Sequence, residues 1–180
     1  MYDHHFNDAD WFLKADDDSF VILENLRYFL SKHNSSQQNY FGRHLLGDFN
    51  SGGAGYVFSK ASLLKFNQAL QDPSRCKQKS LAEDVEVGVC LRNMGVLPGD
   101  TRDEFGRETF HPLKPENHVI PNGIDSSHWL YQNSKYPLTT GRNSCSDHTI
   151  AFHYITPGHM HLLDYFIYHL RPYGVHHDLD

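Results

Sequence analysis

Hydrophobic positions fall into short runs separated by polar stretches. Asp10-Trp11-Phe12-Leu13-Lys14-Ala15 is mostly apolar and stops at Asp16-Asp17-Asp18; that pattern predicts a buried strand ending in a loop. From Ser19 to Lys32 the apolar residues Phe20, Leu23, Leu26 and Leu30 recur at helical spacing, with Asp18 as the expected N-cap. The polar stretch Asn34-Ser35-Ser36-Gln37-Gln38 is a predicted loop, and Asn39 to Leu46 a second strand. Small residues from Ser51 to Gly55 lead into the β-rich Tyr56-Val57-Phe58; they predict a tight bend or a close approach by another group. Ser59 is placed to cap a helix from Lys60 to Leu70, ending before Pro73, and a further helix runs from about Ala82 to Met94 with Gly95 as its terminator. Pro, Gly and Asn become frequent and periodicity fades from Pro98 to Thr149, so this stretch reads as loop-rich. A strand over Thr149 to Ile155 and a helix over Met160 to Leu170 complete the pattern. Alternating strands and helices predict an α/β fold.

The chain's 180 residues suffice for one domain with a core. A formal charge of -6 with 16 Lys and Arg excludes nucleic acid as the main partner, so an anionic substrate would need a metal or a local positive pocket. The apolar run Leu162 to Leu170 is too short to span a bilayer, and Met1-Tyr2-Asp3-His4-His5 does not open a leader peptide. Cys76, Cys90 and Cys145 lack zinc-site spacing; Cys76 and Cys90 are a candidate disulfide if the compartment is oxidising, and Cys145 is then left over. Asn34-Ser35-Ser36 matches an N-glycosylation acceptor.

Asp16 and Asp18 stand at i and i+2, which puts both carboxylates on one side of extended chain, within reach of a hard divalent cation. Capping and solvation also explain acidic triplets. Glu83-Asp84 opens a predicted helix, where a carboxylate either favours the helix dipole or acts as a general base toward an acceptor hydroxyl. His153 is placed mid-strand, pointing away from the faces of Phe152 and Tyr154, where it either packs in a core or reaches a metal at another strand's end. Trp129, Tyr131 and Tyr136 fall in the loop-rich stretch, as platforms for a sugar ring or as packing beneath a loop.

Together, Trp11-Phe12-Leu13-Lys14-Ala15-Asp16-Asp17-Asp18, Tyr40-Phe41-Gly42-Arg43, Ser51-Gly52-Gly53-Ala54-Gly55-Tyr56-Val57, Glu83-Asp84-Val85-Glu86-Val87-Gly88, Glu108-Thr109-Phe110-His111-Pro112, Phe152-His153-Tyr154 and Tyr168-His169-Leu170-Arg171-Pro172-Tyr173-Gly174 resemble, in order, the core 1 β1,3-galactosyltransferases of glycosyltransferase family 31. The resemblance implies a GT-A fold and inverting transfer of galactose from UDP-galactose to the 3-hydroxyl of GalNAc on Ser or Thr. It implies that Asp16, Asp18 and His153 bind Mn²⁺ (or Mg²⁺), that Asp84 is the base, and that Asp16, Asp17, Gly52 and Gly53 lie beside the donor. Trp129, Tyr131 and Glu83 are implied on the acceptor side. An O-GalNAc glycoprotein or glycopeptide, a homodimer and a dedicated chaperone are the implied partners, and the lumenal side of the Golgi, behind a type II anchor, the implied location. In that family the uridine-holding strands precede the metal motif, whereas about ten residues precede the strand at Trp11 here. Residues 1–180 are therefore expected to be a partial catalytic domain lacking the uridine-binding part and the anchor, with weak turnover by itself. Two alternatives stand beside this: a chaperone-like relative, against which the intact Asp16-Asp17-Asp18 argues, and a truncated product that folds poorly or binds glycopeptide without turnover.

Overall fold

The computed structural model describes residues 1–77 and 82–175. In chain order the elements are α1 (Tyr2–His5), β1 (Trp11–Lys14), β2 (Phe20–Val21), α2 (Leu23–Ser31), β3 (Tyr40–Gly42), β4 (His44–Leu45), β5 (Phe49–Asn50), β6 (Tyr56–Ser59), α3 (Lys60–Leu70), α4 (Glu83–Arg92), β7 (Phe110–His111), α5 (Pro115–Val119), α6 (Trp129–Asn133), β8 (Ala151–Phe152) and α7 (Pro157–Asp164), which runs on into a π turn over Tyr165–His169. The fold is mixed α and β, as the alternation predicts. Its ladders are antiparallel except for β7 with β8.

The central sheet has the order β1-β6-β3 and pairs Phe12 with Phe58 and Lys14 with Tyr56. Its two-residue period sorts the side chains between two cores. Phe12, Tyr40, Tyr56 and Phe58 face Leu63 of α3 and Val87 and Leu91 of α4. The intervening Trp11, Leu13, Phe41 and Val57 face Leu26 and Leu30 of α2, Phe110 of the second sheet, and Ile150 just before β8. Burial on both faces explains why these strands are continuously apolar rather than alternating with polar residues. The second sheet, β2-β8-β7, packs beneath α2, and β4 with β5 forms a small ladder beside α4.

Several expected elements keep their bounds. The Ser59 Oγ accepts the Ser62 N–H at 3.1 Å as the N-cap of α3, and Gly95 takes a positive φ of 80° after α4. Cys76 and Cys90 are joined, with 4.7 Å between their Cα atoms, tying the chain after α3 to α4. Cys145 is a buried free thiol.

Others are corrected. Asp18 does not cap α2, because Phe20 and Val21 are first used as a strand against Phe152 and Ala151, and the helix starts only at Leu23 after Ile22. The predicted strand Asn39 to Leu46 breaks at Arg43 into β3 and β4, which belong to different sheets. Arg43 is 1% exposed, paired to Glu108 at 2.7 Å and hydrogen-bonded to Ser134 Oγ at 2.9 Å; a buried guanidinium needs those partners, and β-pairing yields to them. The strand expected over Thr149 to Ile155 shortens to Ala151–Phe152, since Tyr154 turns into positive φ, 58°. The stretch from Pro98 to Thr149 is less loop-like than its composition suggests and contains β7, α5 and α6. No helix among the described residues is long and apolar enough to cross a membrane.

His111 and His118 are buried, with ring centroids 4.7 Å apart, and His111 stacks on Phe152 at the same spacing. Burial holds the His118 pKa down to about 3, helped by the charges of Arg43 and His128; burial, then His118 and Arg43, holds His111 well below its usual 6.5. The folded chain therefore refuses protons that the unfolded chain takes up below pH 6.5, and stability is full above that pH and falls as pH drops toward 3. Each histidine contributes a slope of roughly 1.4 kcal/mol per pH unit in that window. Thermal melts from pH 7 to 4 are expected to show this loss, and His118→Gln to make the slope shallower.

Candidate active site

Three chain segments meet at one end of the central sheet: the loop after β1, the glycine loop before β6, and the first turn of α4. The register delivers them. Lys14, the last residue of β1, pairs with Tyr56, the first of β6, so Asp16 and Gly52 leave the sheet side by side. The backbone N–H of Asp16 donates to Ser19 Oγ at 3.1 Å, and that hydroxyl donates to the Gly53 carbonyl at 2.8 Å. One serine thus fixes the aspartate loop against the glycine loop.

His153 enters from β8. The backbone N–H of Ile155 donates to the Asp18 carbonyl at 2.8 Å, locking the turn after β8 to the aspartate loop. His153 Nε2 lies 3.1 Å from Asp18 Oδ1 and 3.8 Å from Asp16 Oδ2. Asp16, Asp18 and His153 each offer a ligand atom, all within 4.8 Å of one another. That donor set, two hard carboxylates and one imidazole converging from two separate elements, fits a divalent ion of the Mn²⁺ type. Asp17 is exposed and lies outside this cluster.

His153 does not stand mid-strand as the sequence suggests. It follows the last residue of β8, and its ring stacks on Tyr154 with centroids 3.8 Å apart rather than opposing it. The positive φ of Tyr154 swings both rings to the same side. Room for the imidazole comes from Gly53, where an added Cβ would collide with the His153 ring. Gly53→Ala is therefore expected to displace His153 and weaken Mn²⁺ binding by at least ten-fold, read by calorimetric titration, with the melting temperature showing whether the fold survives.

Asp84 stands in the first turn of α4. Its Oδ2 accepts the Gly52 N–H at 2.9 Å and its Oδ1 the Val85 N–H at 2.8 Å. Two backbone donors fix the rotamer while leaving lone pairs for a further donor. Its carboxylate lines a cleft of about 290 Å³ together with Gly53, His153, Leu45, Phe49 and Trp129. Trp129 is 46% exposed, an indole in the wall of that cleft. It is positioned by α6, whose far end is held by Arg43 on Ser134 and by the Leu46 N–H on the Asn133 carbonyl at 2.8 Å.

Glu83 and Tyr131 are not brought into the cleft lining. The Glu83 carboxylate instead accepts a hydrogen bond from the Tyr56 hydroxyl and lies 3.6 Å from Lys14 Nζ. Tyr131 sits one residue pair further along α6, out of register with Trp129. Tyr136 packs against the Arg102 guanidinium at 3.4 Å, away from the cleft.

Sequence reasoning missed Lys14, although its position two residues before Asp16 puts it on the same side of the strand. Its ammonium is 2.6 Å from Asp16 Oδ1 and 3.4 Å from the Gly52 carbonyl. Burial draws its pKa down, but the hydrogen bond to Asp16 and the charges of Glu83 and Asp16 outweigh that, leaving it above the usual lysine value and firmly charged. Ser19, Leu45 and Phe49 carried no chemical signal in the sequence, since their parts here depend on long-range packing.

Residues 1–156 match the Fringe-like family. Over 176 residues the chain is 44% identical to glycoprotein-N-acetylgalactosamine 3-beta-galactosyltransferase 1 of Xenopus laevis, an overlap covering 95% of this chain and 49% of that protein. It is 33% identical over 109 residues to human chondroitin sulfate synthase 3, covering 53% of this chain and 12% of the relative. To mouse beta-1,3-glucosyltransferase it is 29% identical over 144 residues, covering 76% and 29%. The chain thus spans about half the length of the Xenopus relative and less of the others. With residues 1–156 matched and this identity along most of its length, the chain belongs to the Fringe-like glycosyltransferases of family 31.

Proposed function

We propose that this chain carries the metal-, base- and acceptor-bearing part of an inverting β1,3-galactosyltransferase of GT-A type, acting from UDP-galactose on the 3-hydroxyl of GalNAc linked to Ser or Thr. The observation that carries the reading is the convergence of Asp16, Asp18 and His153 on one point, with Asp84 on the same cleft. Asp16, Asp18 and His153 would hold Mn²⁺, which when bound supplies charge neutralisation for a departing diphosphate. The 44% identity to a GalNAc-protein galactosyltransferase supports this choice of donor and acceptor over the other sugars of the family.

Asp84, held by the Gly52 and Val85 amides, accepts the proton of the acceptor hydroxyl as that oxygen forms its bond to the galactose anomeric carbon. The bond from that carbon to the diphosphate oxygen breaks on the opposite side, UDP leaves, and the anomeric configuration inverts. Trp129 offers a face for the acceptor sugar, and Gly52 and Gly53, whose lack of a Cβ makes room for Asp84 and for the His153 ring, are assigned to the donor side. Lys14, charged and adjacent to Asp16, contributes the local positive potential that an anionic donor needs in a chain of net charge -6.

The test is galactose transfer from UDP-galactose to a GalNAc-bearing peptide, with and without Mn²⁺. It is run on the 180-residue chain and on a chimaera in which the chain replaces the matching half of the Xenopus relative. Mn²⁺-dependent β1,3 transfer by the chimaera, stronger than by the chain alone, is the expected result. A well-folded chimaera that binds Mn²⁺ but transfers no galactose would sink the reading.

A further inference from the structure

We infer that Asn34 is an acceptor for asparagine-linked oligosaccharide. Asn34-Ser35-Ser36 is the single Asn-x-Ser/Thr triplet in the sequence, with no proline at its centre. It lies in the exposed turn between α2 and β3. Asn34 Oδ1 accepts the Ser36 N–H at 2.9 Å, an Asx turn that fixes the amide plane from within the triplet itself. Being local, the turn can form before the rest of the chain folds. Among the described residues, Asn34 Nδ2 donates to no protein group, so the nitrogen that would carry the sugar is not already engaged by the fold.

A second, independent observation is the Cys76–Cys90 disulfide, which belongs to an oxidising compartment of the kind where this transfer takes place. The folded structure also accommodates a bulky substituent. The backbone carbonyl of Asn34 accepts from Asn39 Nδ2 at 2.9 Å and the Gln37 N–H at 3.0 Å, and Ser59 Oγ donates to the Gln37 carbonyl at 2.7 Å. The turn is thereby fastened to the Trp11–Ser59 end of the central sheet. Asp16 leaves the other end, a strand length of roughly 13 Å away. A glycan at Asn34 projects from the end remote from the cleft.

The donor class is an oligosaccharide on a polyprenyl diphosphate. Asn34 Nδ2 bonds to the anomeric carbon of the first sugar, the bond from that carbon to the diphosphate oxygen breaks, the amide loses one proton, and polyprenyl diphosphate departs. The inference rests on the compartment and the turn, not on galactosyl transfer.

The experiment is translation of the full chain, behind a cleavable secretion signal, into microsomes. Mobility is compared before and after peptide-N-glycosidase, and the disulfide is read on a non-reducing gel. A single-step shift that the glycosidase removes, absent from Asn34→Gln and from Ser36→Ala, is expected, with Mn²⁺ affinity of Asn34→Gln unchanged. A protease-protected, disulfide-bonded chain of one mobility regardless of glycosidase overturns the inference. So does a shift that persists in Asn34→Gln, or a lumenal chain that stays reduced, since that removes the compartment argument.

Discussion

Asp84→Asn in the chimaera with the Xenopus relative is expected to lower kcat by about 10²- to 10⁴-fold, the range for removing a general base. The substitution keeps the shape of the side chain and one carboxyl-type oxygen for the Gly52 or Val85 amide. One of those two contacts is lost, so a stability decrease on the order of 1 kcal/mol accompanies it. Mn²⁺ affinity and the KM for UDP-galactose should stay within about two-fold, because the removed interaction belongs to the transition state rather than to ground-state binding. A kcat that falls by less than ten-fold would place the base elsewhere on the cleft. Glu83, the preceding residue, is an alternative carboxylate in that helix turn, and its engagement with Tyr56 and Lys14 makes it the poorer candidate.

The second large effect concerns the metal. His153→Ala and Asp18→Asn are each expected to weaken Mn²⁺ binding by about 100-fold or more, since loss of even an outer partner of a ligand costs roughly 10- to 100-fold. The measurement is titration followed by the Mn²⁺ electron paramagnetic signal, on the 180-residue chain itself, so it does not depend on turnover. Asp17→Asn is the control: its side chain lies outside the cluster, and its variant should bind as the parent does. Equal losses for Asp17→Asn and Asp18→Asn would mean that general negative charge, not the described geometry, attracts the ion. Mg²⁺ should compete poorly, because it prefers an all-oxygen, near-octahedral shell and one donor here is an imidazole.

What the sequence disclosed follows a physical boundary. Helix α3 was legible to the residue, because its cap, its period and its stop at Pro73 are all local. The same holds for the strand before Asp16 and for the glycine after α4. The break at Arg43 was not legible, because its causes, Glu108 and Ser134, are distant in sequence. Asp18 was misread as a cap since nothing local announces that Phe20 and Val21 pair with residues more than a hundred positions on. In the site, Asp16, Asp18 and His153, expected by type and by resemblance to act together, do converge on one point, and Asp84 lines the same cleft as His153. Glu83 and Tyr131, implied on the acceptor side by the same resemblance, lie outside the cleft lining, since residues adjacent along a helix turn to different faces.

Lys14 gives the site a property that none of its acidic residues has alone. Its ammonium already serves as the counter-ion of Asp16, at 2.6 Å, while touching the Gly52 carbonyl and standing near Glu83, both next to Asp84. Oδ1 of Asp16 carries that ammonium, whereas Oδ2 is the oxygen that faces His153, at 3.8 Å. Under the proposed function a divalent ion would therefore share the Asp16 carboxylate with a second cation, and the positive charge at this carboxylate would be divided between the two. Because Lys14 also touches the Gly52 carbonyl, whose own N–H is held by Asp84, a change of charge at Asp16 would be felt at Asp84, the proposed base.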